Sequence, residues 1–145
     1  MIREIKPQDI DRVMDLWLET NLSAHDFISK NHWIDNYDIV RGIFLNPDEH
    51  TKIYVYENNG IIIEFIGLID EYIAGIFISK ESQSKGIGKE ILCYIKNNRN
   101  SLSLHVYKQN ERAIQFYLRE DFNIINEQID EKTEKIELYM NWLKT

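Results

Sequence analysis

Apolar and polar positions along the chain repeat at two periods, one of strands and one of helices. Ile2 to Ile5 alternates apolar and charged residues as a short strand does. Pro7 then stands where a first helical turn tolerates it, and Asp9 and Asp11 suit the positive end of a helix. Ile10, Val13, Met14 and Trp17 follow at i, i+3, i+4 and i+7, so a helix with one buried face is predicted. A second helix is predicted from Trp33 to Leu45, stopped by Asn46-Pro47. The polar-aromatic stretch Ser23-Ala24-His25-Asp26-Phe27-Ile28 connects them without a strong period.

The middle of the chain is strand-rich. Lys52 to Glu57 and Ile61 to Ile69 flank Asn58-Asn59-Gly60, a tight-turn sequence, and so predict a hairpin. Asp70-Glu71 turns into a third strand, Tyr72 to Ser79. A helix from Gly86 to about Asn98 follows, with Ile87, Ile91, Leu92 and Ile95 on its buried face and Cys93 expected to pack with them. Leu102 to Val106 alternates as a strand, Glu111 to Arg119 reads as a helix, and strands near Phe122 to Gln128 and Lys135 to Trp142 end the chain. The order β α α β β β α β α β β fits a mixed α/β sheet with helices on both faces.

Composition narrows the class. The 145 residues suit one domain, residues 1–145, and 43% hydrophobic residues supply a core. One cysteine excludes an internal disulfide or a zinc cluster and points to a reducing, cytoplasmic setting. His25, His32, His50 and His105 have no metal-ligand spacing, so no metal is expected. The charged start Met1-Ile2-Arg3-Glu4-Ile5-Lys6 is unlike a signal peptide, and the apolar run at Ile61 to Ile69, broken by Glu64, is too short to span a bilayer. No membrane role is expected.

The formal net charge is −7, which argues against nucleic acid as a partner. Its distribution says more than its total. From Lys80 to Arg112 there are seven basic residues and three acidic ones, leaving the rest of the chain strongly acidic. A basic island in an acidic protein suits an anionic ligand there and a cationic partner elsewhere, or simply solvated helix faces.

Inside that island lies Gln83-Ser84-Lys85-Gly86-Ile87-Gly88-Lys89, between a strand and an amphipathic helix. Glycines at a helix start let a ligand reach backbone amides that have no partner within the helix. The helix dipole and the two lysines add positive charge, so the segment is built to cradle a pyrophosphate, or else is a plain glycine-rich helix start. The G-x-x-x-x-G-K-[ST] phosphate loop is absent, and Ile91 occupies the third glycine position of a dinucleotide fingerprint. A second segment, Asn110-Glu111-Arg112-Ala113-Ile114-Gln115-Phe116-Tyr117, combines a natural N-cap at Asn110 with a Tyr117 phenol two turns along the same face. Tyr117 there is either a buried structural tyrosine or a functional one.

Together these segments resemble the GNAT superfamily of acetyl-CoA-dependent N-acetyltransferases. The family's pyrophosphate motif (Gln or Arg, two residues, Gly, one residue, Gly or Ala) stands here as Gln83-Ser84-Lys85-Gly86-Ile87-Gly88, and its Asn-x-x-Ala-x-x-Phe-Tyr segment as Asn110, Ala113, Phe116 and Tyr117. The resemblance covers nearly the whole chain and is strongest to small bacterial members, through Leu16-Trp17-Leu18-Glu19 and His25-Asp26-Phe27-Ile28. One departure is Asp121, where the family usually has Gly; Asp tolerates the left-handed geometry such a helix end needs.

The resemblance implies a GNAT-like α/β fold, a mixed and mostly antiparallel sheet of about six to seven strands flanked by about four helices. It implies direct transfer of an acetyl group from acetyl-CoA to a primary amine, a small molecule or a protein lysine, by a monomer or homodimer; a CoA-binding sensor without chemistry is the alternative. The implied cofactor contacts are Gln83 to Lys89 (Ser84, Lys85, Gly86, Ile87 and Gly88 between them), the backbone of Ile76, Phe77 and Ile78, and Asn110, Ala113 and Phe116. Tyr117, with an ordinary phenol pKa of about 10, is matched to a leaving thiolate as general acid. Glu71 is the candidate general base, and Tyr72, His25 and Phe27 are candidates for the acceptor side.

Overall fold

The computed structural model describes all residues 1–145. In chain order the elements are β1 (Ile2–Glu4), α1 (Ile10–Ala24), α2 (Lys30–Leu45), β2 (Thr51–Asn58), β3 (Ile61–Ile69), β4 (Tyr72–Ile78), α3 (Ile87–Lys96), β5 (Ser101–Tyr107), α4 (Glu111–Arg119), β6 (Asn123–Asp130) and β7 (Lys135–Leu143). Single 3-10 turns at Pro7–Asp9 and Lys80–Ser82 lead toward α1 and α3. Every predicted element is present. The second helix starts earlier than its apolar pattern suggests, because the Ser29 hydroxyl accepts from the Asn31 amide and caps it there.

The sheet has seven strands in the order β1-β2-β3-β4-β5-β7-β6. All neighbours are antiparallel except β4 and β5. Strand alternation sends adjacent residues to opposite faces, and two cores result. Phe65, Ile62, Ile53 and Val55 meet Val13, Met14, Leu16 and Trp17 of α1 and Trp33 of α2 on one face. Ile66, Leu68, Leu102 and Leu104 meet Ile91, Leu92 and Ile95 of α3 and Ile114 and Tyr117 of α4 on the other. Burying each such aliphatic side chain contributes about 1.5–3 kcal/mol. Cys93 is exposed rather than packed. With Ile91, Leu92 and Ile95 filling the buried stripe, its 100° step around α3 turns it to solvent.

The feature that makes a site is the parting of β4 from β5. Only Tyr72 and Ile73 pair with β5, at Ser103 and Leu104. On its other edge β4 stays paired with β3 through Ile78, with a register shift where Gly67 and Leu68 meet Gly75 and Ile73. The β5-side edge of β4 beyond Ile73 is therefore free to pair with something else. No helix is long and apolar enough to cross a membrane.

Candidate functional site

A cleft of about 1110 Å³ opens where β4 and β5 part, between the start of α3 and the length of α4. It draws together both sequence segments: Gln83, Ser84, Gly86, Gly88 and Lys89 on one side, Asn110, Ala113, Phe116 and Tyr117 on the other. Ile76 and Ile78 form its strand wall, and Asp26 and Phe27, on the α1–α2 connection, close one end.

Local geometry explains the loop. Gln83 Nε2 donates to the Ile78 carbonyl at 3.1 Å, anchoring the loop to the end of β4. Ser84 and Gly86 both take positive φ, 65° and 81°, which curls the backbone into the start of α3. A Cβ on Gly86 would have no neighbour within 4 Å, so the space over this backbone is open. Arg112 Nη2 donates to Ser84 Oγ at 2.8 Å and links the two segments directly. Across the cleft Asn110 caps α4, its side-chain oxygen accepting from the Ala113 amide at 3.3 Å. Asp121 has φ of 71°, the left-handed end that its position asks for.

Open space over unpaired amides, a helix N-terminus and flanking cations fit a pyrophosphate. The unpaired edge of β4 fits an extended amide-bearing arm that adds to the sheet edge. No cluster of three His, Cys, Asp or Glu side chains is placed to hold a metal ion.

The family model for the acetyltransferase (GNAT) domain matches residues 49–124, which holds both segments and β4 and β5, the strands whose parting opens the cleft. The chain belongs to the GNAT acetyltransferases. Among curated relatives, the peptidyl-lysine N-acetyltransferase YiaC of Escherichia coli is 29% identical over 143 residues, 98% of this chain and 96% of that one. The peptidyl-lysine N-acetyltransferase YjaB of the same organism is 23% identical over 123 residues, 85% of this chain and 82% of that one. The solution structure of apo YjaB shares the fold with a TM-score of 0.85 at 20% identity, covering 100% of this chain and 98% of that one. The PaiA N-acetyltransferase of Thermoplasma acidophilum, solved with coenzyme A, gives 0.80 at 17% identity, over 99% and 98%. The spermidine N-acetyltransferase of Vibrio cholerae, solved with CoA and spermine, gives 0.75 at 18%, over 99% and 94%. This GNAT enzyme is thus an acetyl-CoA-dependent N-acetyltransferase.

Not every residue singled out in the sequence reaches the cleft. Lys85 and Ile87 flank it without lining it. The Phe77 ring turns to the opposite face and stacks on Phe65, centroids 4.6 Å apart, so Phe77 offers the cleft only main chain. Glu71 is exposed in the turn before β4 and accepts a hydrogen bond from the Ser101 hydroxyl. That is the end where β4 and β5 are joined, opposite the end where they part. Tyr72 lies on the open sheet face with its hydroxyl 2.8 Å from His105 Nδ1.

Burial sets the protonation of two of the candidate residues. Burial raises the Tyr117 phenol well above its ordinary range, with Tyr72 and Glu64 close enough to raise it further. Its proton is held firmly rather than matched to a thiolate in the unliganded enzyme. His25 is lowered to about 4, chiefly by burial, and is a neutral ring at physiological pH. It stacks on Trp33 with centroids 5.1 Å apart, and its Nε2 lies 3.4 Å from Asn110 Nδ2. His25 therefore joins the α1–α2 connection to the cap of α4. Trp33 is itself core, edge-on to Trp17.

Three residues carry more in the structure than in the sequence. Arg112 reads in the sequence as one more base in the island. His105 reads as a histidine without metal-ligand spacing. Glu64 reads in the sequence as a break in an apolar run, yet it is fully buried, neither oxygen has a partner, and burial raises its pKa to about 9. A lone carboxylate inside an otherwise buried strand was the signal available.

Proposed function

We propose that this enzyme transfers the acetyl group directly to the side-chain amine of a lysine on a peptide or protein. The supporting observation is the match over nearly its whole length to YiaC, joined to a cleft walled by Asp26 and Phe27 where an amine would enter. In this reading the amides at the start of α3, with Lys85 and Lys89, hold the pyrophosphate of acetyl-CoA. The free edge of β4 at Ile76 to Ile78 pairs with the pantetheine arm and offers an N–H to the thioester oxygen. When bound, acetyl-CoA supplies an activated acyl group; the chain orients it and keeps water out. Tyr117, at the cleft floor, holds a proton 
for the departing sulfur; the negative charge that develops there is what draws the proton off a phenol otherwise held by burial.

A mass-detected screen with acetyl-CoA tests the reading against lysine peptides, spermidine, spermine and an aminoglycoside, with thiol release followed in parallel. Acetylation on lysine side chains is the expected result. Exclusive acetylation of polyamines would replace the acceptor. CoA binding with no thiol release for any amine would replace direct transfer by a sensor role.

A further inference from the structure

On β5, Leu102, Leu104 and Val106 are buried against α3 and α4, so Ser101, Ser103, His105 and Tyr107 face the other side of the sheet. There His105 stands opposite Tyr139 of β7, with ring centroids 5.1 Å apart. Its Nδ1 is 2.8 Å from the Tyr72 hydroxyl of β4. His105, Tyr72 and Tyr139 are all partly exposed, so the ring is open to solvent and not locked in the core. Tyr72 stands one residue before the last paired position, Ile73 with Leu104, and its hydroxyl reaches His105, one residue beyond that pair; it is also close enough to Tyr117 to disfavour the ionised phenol there. Two phenols thus stand beside the parting of the sheet, Tyr117 in the cleft with α4 and Tyr72 on the open face.

We propose that Tyr72 and His105 form the route by which the acceptor amine loses its proton, with Tyr72 touching the amine and His105 acting through it. This rests on the reading of direct transfer in the gap between β4 and β5. As the amine nitrogen bonds to the thioester carbon, its proton passes to Tyr72 Oη. The Tyr72 proton moves at the same time to His105 Nδ1, and the ring becomes imidazolium. The carbon–sulfur bond breaks and sulfur takes the Tyr117 proton. The proton gained by His105 equals the one lost by Tyr117, and its return through Tyr72 restores all three groups. Glu137 and Tyr139, from β7, are the other ionisable groups facing the pair, and both favour the protonated Tyr72 phenol. Glu71 has no part in this route, since its carboxylate is engaged by Ser101 at the joined end of the strands.

The scheme requires an Nε2–H tautomer of His105, with a lone pair on Nδ1 accepting from Tyr72. Nitrogen-15 spectra of the ring in the full-length enzyme read this directly. The expected result is the Nε2–H form in wild type and loss of that bias in Tyr72→Phe; an Nδ1–H ring in wild type would overturn the proposal. Kinetics form the second arm, with a lysine peptide and spermidine as acceptors. His105→Asn keeps an acceptor near Nδ1 but takes no proton. It is expected to lower kcat by about 10²-fold, leave the acetyl-CoA KM unchanged and flatten the acid limb of the kcat–pH profile. An unchanged kcat or an unchanged acid limb would sink the relay. If wild type acetylates neither acceptor, the acceptor reading fails, and the ring tautomer still decides the relay.

Discussion

Gly88 of α3 lies against the ring of Phe116 of α4: a Cβ at position 88 would stand 3.0 Å from Phe116 Cζ and 3.1 Å from Ile78 Cδ1. The two segments that mark the family are thus packed on each other as well as facing one cleft. Gly88→Val is expected to force these helices apart and lower stability by about 1–3 kcal/mol. Chemical denaturation of the variant beside wild type checks it. Equal midpoints would mean that α3 and α4 are not tightly docked.

Gly86 differs in kind. Nothing lies within 4 Å of a Cβ built there, but its φ is +81°. Gly86→Val is expected to cost about 1–2 kcal/mol of backbone strain and to place methyl groups over the amides that receive the pyrophosphate. Affinity for CoA should fall at least about tenfold, or about 1.4 kcal/mol. Calorimetry on the folded variant measures it, and unchanged affinity would move the cofactor site elsewhere.

Tyr117 is almost fully buried at the cleft floor and packs edge-on against Phe116 and Phe122. Tyr117→Phe keeps those ring contacts and removes only the hydroxyl. The expected outcome is a loss of about 10²–10⁴-fold in kcat with acetyl-CoA affinity retained. An equally fast variant would leave Tyr117 a packing residue.

How much of this was legible in the sequence depended on whether a residue's role is local. Strand and helix periods, the Asn110 cap and the left-handed end at Asp121 all rest on near neighbours in the chain, and each can be read there. The cleft follows from β4 leaving β5 after Ile73, a property of two strands separated by a helix, and no pattern within either strand records it. The same distance hid the Tyr72–His105 pair, which sequence places 33 residues apart. Glu71 illustrates the converse, because a carboxylate beside an interesting strand says nothing about which end of that strand faces the cleft.

Two buried groups set the pH dependence of stability between the carboxylate and lysine ranges. Glu64 is raised from 4.5 to about 9, so the folded state holds a proton that the unfolded chain releases, and stability falls as pH rises through that window. His25 is lowered from 6.5 to about 4, so the unfolded chain holds the extra proton and stability rises with pH up to 6.5. The two slopes oppose each other below pH 6.5, where wild type should be nearly flat, and Glu64 alone acts above it. A loss of about 2 kcal/mol between roughly pH 6.5 and pH 8 is expected, at about 1.4 kcal/mol per pH unit. Glu64→Gln should remove that fall and expose the His25 rise on the acid side. Denaturant titrations across this range measure both, and a variant that still loses stability above pH 6.5 would assign the effect to another group.

Asp26, Asp70 and Glu71 belong to the acidic part of the chain outside the basic island, which suits a cationic amine, but the structure gives them different surroundings. Asp70 pairs with His50 at 3.1 Å, and Glu71 accepts from Ser101. Asp26 alone of the three lines the cleft, and it is exposed there beside Phe27. An exposed carboxylate attracts an ammonium group through a high dielectric, so the effect on binding is modest and screened by salt. Asp26→Asn is accordingly expected to raise the KM of a lysine peptide about threefold at low ionic strength. The difference from wild type should shrink as salt is added, with kcat little changed. Glu71→Gln, tested alongside, is expected to leave both constants as in wild type. A salt-independent effect at Asp26 would mean that it makes a fixed contact with the acceptor, and a large effect at Glu71 would mean that the acceptor extends along the sheet to the joined end of β4 and β5.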